Sequence, residues 1–486
     1  MGQLDWTSIN LDRASREALG DQLAAAIEAR IETGLVAEGE RLPTTRELAG
    51  LLRVNRGTVQ AAYRRLADRG IIEARVGSGT IVRSRTGTRP TTPPFSVDRL
   101  LSDRAQKISG EQTRPLASPV LADFSRLTPD ERFFPLKEFI ATLTAAWSRE
   151  PGLWQYAPPL GFEPLREEIS RRLASHGVHR APDEILVTSG AQQGLDLIFR
   201  TFTDPGDRVA LESPTYSGAL ALARFADVET IELPMGPEGP DVSALIGRRR
   251  VKLAYLMPER QNPTGVTTIR QRREDLVAAA TAAGALLIED GYEEPESGLP
   301  PLAALAPERT VWLGTLSKDL VPGFRIGWLA APAPIIDRLA RVKKTADFQT
   351  PLPLQAAVVE FLREGSDRKA RHNRSLDVEL RRIAAVRALQ SHLPEISWWG
   401  GEIGNALFWL HLPPGVSGRG VADAAAARGV GVAPGYEFDP QGEDRPNLRL
   451  SVSRVDQRQV DAGVRRLAEA IHAVAAQSGV RSVPVV

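Results

Sequence analysis

Leu286-Leu287-Ile288-Glu289-Asp290-Gly291-Tyr292 is an apolar run that ends in an acid, a glycine and an aromatic residue. Such a run reads as a buried strand that hands polar side chains to the loop at its end. Similar runs lie on the amino-terminal side: Ile185-Leu186-Val187-Thr188, Arg208-Val209-Ala210-Leu211 and Leu253-Ala254-Tyr255-Leu256, alternating with amphipathic helical stretches. The alternation predicts an α/β fold around a mostly parallel sheet, whose chemistry sits in loops at strand ends.

At 486 residues the chain exceeds what one hydrophobic core serves, so two or more folded units are expected. The net charge is only +1, from 61 Lys+Arg against 60 Asp+Glu, so any footprint for nucleic acid must be local. The absence of cysteine excludes disulfides, thiolate metal sites and a cysteine nucleophile, and suits an intracellular protein. Met1 to Asn10 shows no basic segment followed by an apolar core, and no apolar run approaches the roughly 20 residues of a membrane span. A cytoplasmic protein without a membrane partner is expected.

Ahead of the α/β region, Leu19, Leu23, Ile27 and Ile31 share one helical face that stops at Gly34. Thr44 followed by Glu47 reads as a capping box opening a second helix, and Asn55-Arg56-Gly57-Thr58-Val59 opens a third, through Tyr63 and Leu66 to Gly70. Tyr63 and Leu66 have the spacing of core residues. Ile71 to Ala74 and Thr80 to Val82 are strand-like and enclose Arg75 to Gly79, a hairpin after a helix-turn-helix. The segments Glu40 to Ala49, Asn55 to Val59 and Gly77 to Val82 resemble the winged helix of the GntR family. That resemblance implies that Arg46, Arg56, Thr58, Gly77 and Gly79 face double-stranded operator DNA. Arginines and helix amino termini hold phosphates, and small wing residues permit close backbone approach. The expected organisation is a DNA-binding domain at residues 10–83, a Pro- and Arg-bearing linker at 84–120 with a short helix around Arg99 to Ile108, and a large domain at 121–478.

The loops of the large domain carry small and polar residues in order. Ser189-Gly190-Ala191-Gln192 follows a strand and opens a helix, which places backbone N–H groups and a hydroxyl where an anion can bind. Next come Ser213-Pro214-Thr215-Tyr216, Asn262-Pro263-Thr264-Gly265, Glu289-Asp290-Gly291-Tyr292 and Thr315-Leu316-Ser317-Lys318, with Arg325 seven residues on. Each alone is an ordinary turn. Together, from about Tyr156 to Arg449, they resemble the motifs of fold-type I aminotransferases, which implies pyridoxal 5'-phosphate as cofactor and a smaller C-terminal α/β subdomain.

The resemblance further implies a role for each matched residue. Lys318 anchors the cofactor covalently, and Asp290 sits beside the pyridine nitrogen. Asn262 and Tyr292 hydrogen-bond the ring 3'-oxygen, and Tyr216 stacks on the ring face. Ser189, Gly190, Ala191, Ser317 and Arg325 surround the phosphate. Tyr156 reaches the phosphate of a neighbouring subunit, which implies a homodimer. Arg449 clamps a substrate carboxylate, which implies an amino-acid-like ligand.

A winged helix joined to such a domain resembles the MocR/GabR regulators, in which ligand chemistry at the cofactor changes how paired winged helices meet DNA. Two positions depart from that pattern. Asn262 stands where many of these regulators carry an aromatic residue, and Gly291 stands where an acid is frequent. A working transaminase with an attached DNA-binding domain is therefore the competing expectation.

Overall fold

The computed structural model describes residues 6–13, 15, 17–75, 79–83, 97–107, 115–149, 151–292, 295–318 and 322–478. The chain divides into two units, Met1–Leu100 and Leu101–Val486.

In the first unit three helices enclose one core: α1 (Leu19–Glu32), α2 (Thr45–Leu52) and α3 (Arg56–Asp68). Leu23, Ile27, Leu48, Val59 and Leu66 are buried together, as their helical spacing requires. Thr44 Oγ1 accepts from the Glu47 N–H at 3.2 Å, and the Glu47 carboxylate accepts from the Thr44 N–H at 2.8 Å, closing the capping box. Asn55 caps α3 through the Gly57 N–H at 2.9 Å. Tyr63 is buried, and its hydroxyl donates to the Pro43 carbonyl at 2.6 Å, so the core aromatic also fixes the chain entering α2. Strands β1 (Ile72–Arg75) and β2 (Gly79–Val82) pair antiparallel with Ile72 opposite Val82. Where a short helix around Arg99 to Ile108 was expected, a 3-10 turn at Val97–Leu100 and a helical turn at Asp103–Gln106 occur.

The second unit is built on eight strands. After β3 (Ala122–Asp123) come β4 (Ile185–Thr188), β5 (Arg208–Ser213), β6 (Glu229–Gly236), β7 (Gly239–Pro240), β8 (Val251–Leu256), β9 (Leu286–Gly291), β10 (Thr310–Thr315) and β11 (Gly327–Ala330). The sheet order is β4-β11-β10-β9-β8-β5-β6-β7. Its central pairs β10/β9, β9/β8, β8/β5 and β5/β6 are parallel, and β11 and β7 run against their neighbours. Helices cover both faces, so the central strands are apolar throughout rather than alternating.

On one face two tryptophans lie where neighbouring strands carry glycine. A Cβ on Gly291 would collide with the Trp312 indole, and one on Gly314 with the Trp328 indole. The rings thus fill space that the glycines leave.

Towards the carboxyl terminus, β12 (Ser397–Gly400), β13 (Leu407–His411), β14 (Val430–Gly431), β15 (Ala433–Pro434) and β16 (Asn447–Ser451) follow. Four of them form an antiparallel sheet in the order β12-β13-β16-β15, while β14 pairs with β3. The helices Ser366–His392, Gly418–Ala426 and Gln457–Gln477 pack with this sheet around Leu389, Phe408, Val421, Leu448 and Leu467. Among the described residues no helix is long and apolar enough to cross a membrane.

Candidate functional site

The parallel strands all deliver their chemistry at the same end. Ser189 follows β4, Tyr216 follows β5, Asn262 follows β8, Asp290 lies near the end of β9, and Ser317 and Lys318 follow β10. Chain reversals at the carboxyl ends of parallel strands therefore gather residues that are far apart in sequence.

One side of this cluster is an anion cradle. Gly190, at φ +90°, precedes the helix Ala191–Phe202, whose first N–H groups are directed at the turn. Arg325 lies across it and donates from Nη2 to the Ser189 carbonyl at 3.3 Å. A Cβ on Gly190 would sit 2.5 Å from that same nitrogen, so glycine is what lets the guanidinium lie against the turn. The Ser189 N–H donates to the Gln193 side chain at 2.7 Å, and the Tyr216 hydroxyl donates to Gln192 at 3.2 Å. Ser317 Oγ is buried with no hydrogen-bond partner among the described residues.

The floor is acidic. Asp290 is buried, and its Oδ2 accepts from the Tyr255 hydroxyl at 2.5 Å. Its Oδ1 has no hydrogen-bond partner among the described residues. Burial pushes the Asp290 carboxyl up to about 6, against the Tyr255 hydroxyl and the Lys318 charge, which both pull it down. Lys318 Nζ donates to the Leu127 carbonyl at 2.5 Å, while the Lys318 carbonyl accepts from Arg374 Nη1 at 2.7 Å. Beneath lies Glu212, fully buried, whose carboxyl burial raises to about 8. It accepts from the Met257 N–H at 3.0 Å and the Gln261 amide at 3.1 Å. Gln261 also donates to the Pro214 carbonyl at 2.8 Å and accepts from the Thr264 N–H at 2.9 Å, tying the two proline turns together.

Opposite the floor, Arg449 reaches from β16. It donates from Nη1 to Asn262 Oδ1 at 3.1 Å and from Nη2 to the Ser125 carbonyl, and its guanidinium lies 4.9 Å from the Phe438 ring centroid. Its Nε has no hydrogen-bond partner among the described residues, and burial lowers its pKa to about 10. A buried guanidinium with an unused donor is suited to a carboxylate arriving from outside. Tyr292 is buried, and its hydroxyl donates to the Arg260 carbonyl at 2.5 Å.

Of the residues singled out in sequence, Tyr156 stands apart from this cluster. It is 88% exposed and lies beside Phe348, with ring centroids 6.4 Å apart. Four residues outside the motifs complete the site: Tyr255, Glu212, Gln261 and Arg374. A tyrosine within the buried run Leu253–Leu256 was the available signal, since its hydroxyl needs a partner there.

In the first unit Arg46 and Arg56 occupy the first turns of α2 and α3, and both are exposed. Arg56 Nε donates to Thr45 Oγ1 at 3.4 Å, which links the two helix starts. Thr58 is half-buried. Gly79, at φ +82°, yields its side-chain space to Arg41, whose Nε would lie 2.7 Å from a Cβ there. Gly77 lies outside the described residues.

Residues 130–467 match the family described as aminotransferase class I and II, and residues 19–82 match bacterial regulatory proteins of the gntR family. The chain is 33% identical over 395 residues to the 2-aminoadipate transaminase of Thermus thermophilus, covering 78% of this chain and 98% of that protein. It is 30% identical over 473 residues to the HTH-type transcriptional regulator TauR of Rhodobacter capsulatus, covering 93% of this chain and 96% of that one. A similar solved structure is LysN, the α-aminoadipate aminotransferase of Thermus thermophilus, complexed with N-(5'-phosphopyridoxyl)-L-leucine. It aligns with a TM-score of 0.71 at 31% identity, covering 79% of this chain and 100% of that one. This fold and that bound group imply pyridoxal 5'-phosphate as cofactor. The residues fit it: Asp290 Oδ1 is a buried acceptor without a donor, and the glycine turn under Arg325 is an anion cradle.

Proposed function

The chain belongs to the aminotransferase class I and II family and carries a GntR-family DNA-binding domain ahead of it, and from that premise we propose that it is a pyridoxal 5'-phosphate-dependent transcriptional regulator of the MocR/GabR type. The DNA-binding domain takes residues 10–83, the linker 84–120, and the cofactor domain 121–478. The protein acts in the cytoplasm as a homodimer, binds operator DNA, and answers to an amino-acid-like ligand.

When bound, the cofactor supplies an electron sink for a substrate's α-carbon. Lys318 is its anchor. Asp290 holds a proton on the ring nitrogen through Oδ1, and Tyr255 holds Asp290 in place. Asn262 and Tyr292 orient the ring through its 3'-oxygen, and Tyr216 covers its face. Ser189, Gly190, Ala191, Ser317 and Arg325 hold the phosphate, with Tyr156 contributed by the second subunit. Arg449 binds the ligand carboxylate through the guanidinium edge that carries Nε. At the other end of the chain, Arg46 and Arg56 meet phosphates or base edges, and Thr58, Gly77 and Gly79 lie close to the duplex.

One observation carries this reading: a single chain holds both a lysine–aspartate–arginine site with open hydrogen-bonding capacity and two exposed arginines at adjoining helix starts. The test is fluorescence anisotropy with DNA from upstream of the protein's own gene, over a salt series, with and without amino compounds. The expected result is affinity well above that for random DNA, a steep salt dependence, and a slope reduced by about 1 in each of Arg46→Ala and Arg56→Ala. A ligand should shift the curve without being consumed. Equal affinity for upstream and random DNA would sink the regulator reading.

A second reading, sustained transamination, is favoured by Asn262, which hydrogen-bonds Arg449 and so links the cofactor and carboxylate ends of the site. Repeated bleaching of the cofactor band by an amino donor, with recovery on adding a keto acid, would establish it.

A further inference from the structure

Lysine ordinarily packs its stem on the protein and keeps its ammonium in water. Lys344, near the end of the helix Ala333–Ala346, is exposed, but its neighbour Lys343 is fully buried. Lys343 Nζ donates to Asp347 Oδ1 at 2.6 Å, just beyond the helix. The second oxygen of that carboxylate, Oδ2, accepts from Gln193 Nε2 at 2.7 Å. Gln193 Oε1 in turn accepts the Ser189 N–H at 2.7 Å. A line of hydrogen bonds therefore runs from a buried cation to the backbone of the anion cradle, through residues far apart in sequence.

Stability alone gives a weak reason for such a pair, because desolvating two charges costs about as much as their attraction returns. What the pair supplies is direction. An ammonium only donates and a carboxylate only accepts, so Asp347 can meet only the NH2 end of the Gln193 amide, and the oxygen end is turned to the Ser189 N–H. The neighbouring groups of the turn are held as well. The Ser189 carbonyl accepts from Arg325, and the Gly190 carbonyl accepts from the Thr188 hydroxyl at 3.1 Å. Carbonyl and N–H point in opposite directions across a trans peptide, so a fixed Gly190 carbonyl also fixes the Ala191 N–H at the helix start, where an anion binds.

We propose that Lys343 and Asp347 are positioning residues for the cofactor phosphate: the buried pair sets the polarity of the Gln193 amide, and that amide holds the Ser189 turn in the shape that binds the phosphate. The inference rests on the cofactor reading above, in which this turn takes the phosphate. Asp347→Asn exposes the logic, because it keeps the shape of the side chain but gives it a donor. Its oxygen goes to Lys343, its NH2 faces Gln193, and the reversed amide then sets NH2 against the Ser189 N–H.

The test titrates the cofactor-free full chain with pyridoxal 5'-phosphate and with pyridoxal, which lacks the phosphate, following the absorption band that depends on Lys318. Asp347→Asn and Lys343→Met should each bind pyridoxal 5'-phosphate about tenfold more weakly, with pyridoxal within about twofold of the wild type. Gln193→Met should lose as much, and adding Lys343→Met to it should lose nothing further, since links of one chain do not act additively. Equal losses for the two compounds, an unchanged affinity for pyridoxal 5'-phosphate, or additive losses overturns the inference alone. If the wild type gives no Lys318-dependent band with pyridoxal 5'-phosphate, the cofactor reading falls and this inference falls with it. Should Lys343→Met fail to fold, or the pyridoxal band be too faint to titrate, Asp347→Asn combined with Gln193→Met decides by the same additivity.

Discussion

Replacing Asp290 by asparagine should make the cofactor-free protein less sensitive to pH. Burial raises the Asp290 carboxyl from 3.8 to about 6. A rise of that size corresponds to about 3 kcal/mol, at ~1.4 kcal/mol for each tenfold change in proton affinity. Below pH ~4 the group is protonated in both folded and unfolded chains and contributes nothing. Between pH ~4 and ~6 the unfolded chain releases a proton that the folded chain keeps, so stability falls as pH rises, and above pH ~6 the full cost remains. The wild type should therefore lose about 3 kcal/mol more than Asp290→Asn across this window. Glu212 and Glu289, raised to about 8 and about 7 by burial, add their own loss in both proteins. Urea unfolding followed by tryptophan fluorescence is a suitable assay, because seven of the eight tryptophans lie in the large unit. With pyridoxal 5'-phosphate present the order should reverse, the variant binding it roughly 100-fold more weakly for want of a charge opposite the ring nitrogen. Parallel pH profiles for the two cofactor-free proteins would refute the argument.

Three further outcomes follow from the same geometry. Tyr255→Phe removes the one hydroxyl that Asp290 Oδ2 accepts from, so the Asp290 carboxyl should titrate higher and cofactor affinity should fall about tenfold, read from the pH dependence of the absorption band. Gly190→Ala puts a methyl 2.5 Å from Arg325 Nη2 at a φ of +90°, and a fluorescence titration should show cofactor affinity lowered tenfold or more; an unchanged value would mean that the turn does not hold the phosphate. Arg449→Lys should leave the cofactor band intact and weaken carboxylate ligands about 10- to 100-fold in calorimetry, because lysine lacks the planar fork.

The elements carried by local chemistry were legible in the sequence. The Thr44–Glu47 capping box, the Asn55 cap and the stop at Gly70 need only neighbouring residues, and the helices begin and end at them. The strands ending in Thr188 and Gly291 were visible as apolar runs. The link between Tyr255 and Asp290 was not visible, because it depends on strand register. Tyr255 lies opposite Ile288 in the parallel β8/β9 pair, and Asp290 is two residues further along the same face. Nothing local in Leu253 to Leu256 announces that neighbour. Glu212 and Gln261 were hidden for the same reason, since their partnership spans two strand ends. Arg374, on a long charged helix, carries no local signal in the sequence; only the fold brings it to the Lys318 carbonyl.

The pairing of Gly291 with the Trp312 ring bears on how this sequence can change. An acid at position 291, which the resemblance to the MocR/GabR regulators leads one to expect, is barred one substitution at a time, because its first carbon meets the indole. Trimming Trp312 first would open a void costing about 3–5 kcal/mol, a large part of a domain's stability. The two positions therefore form a valley in sequence space: ancestry on either side is retained, and homologues should carry glycine with tryptophan or an acid with a small residue, but seldom a mixture.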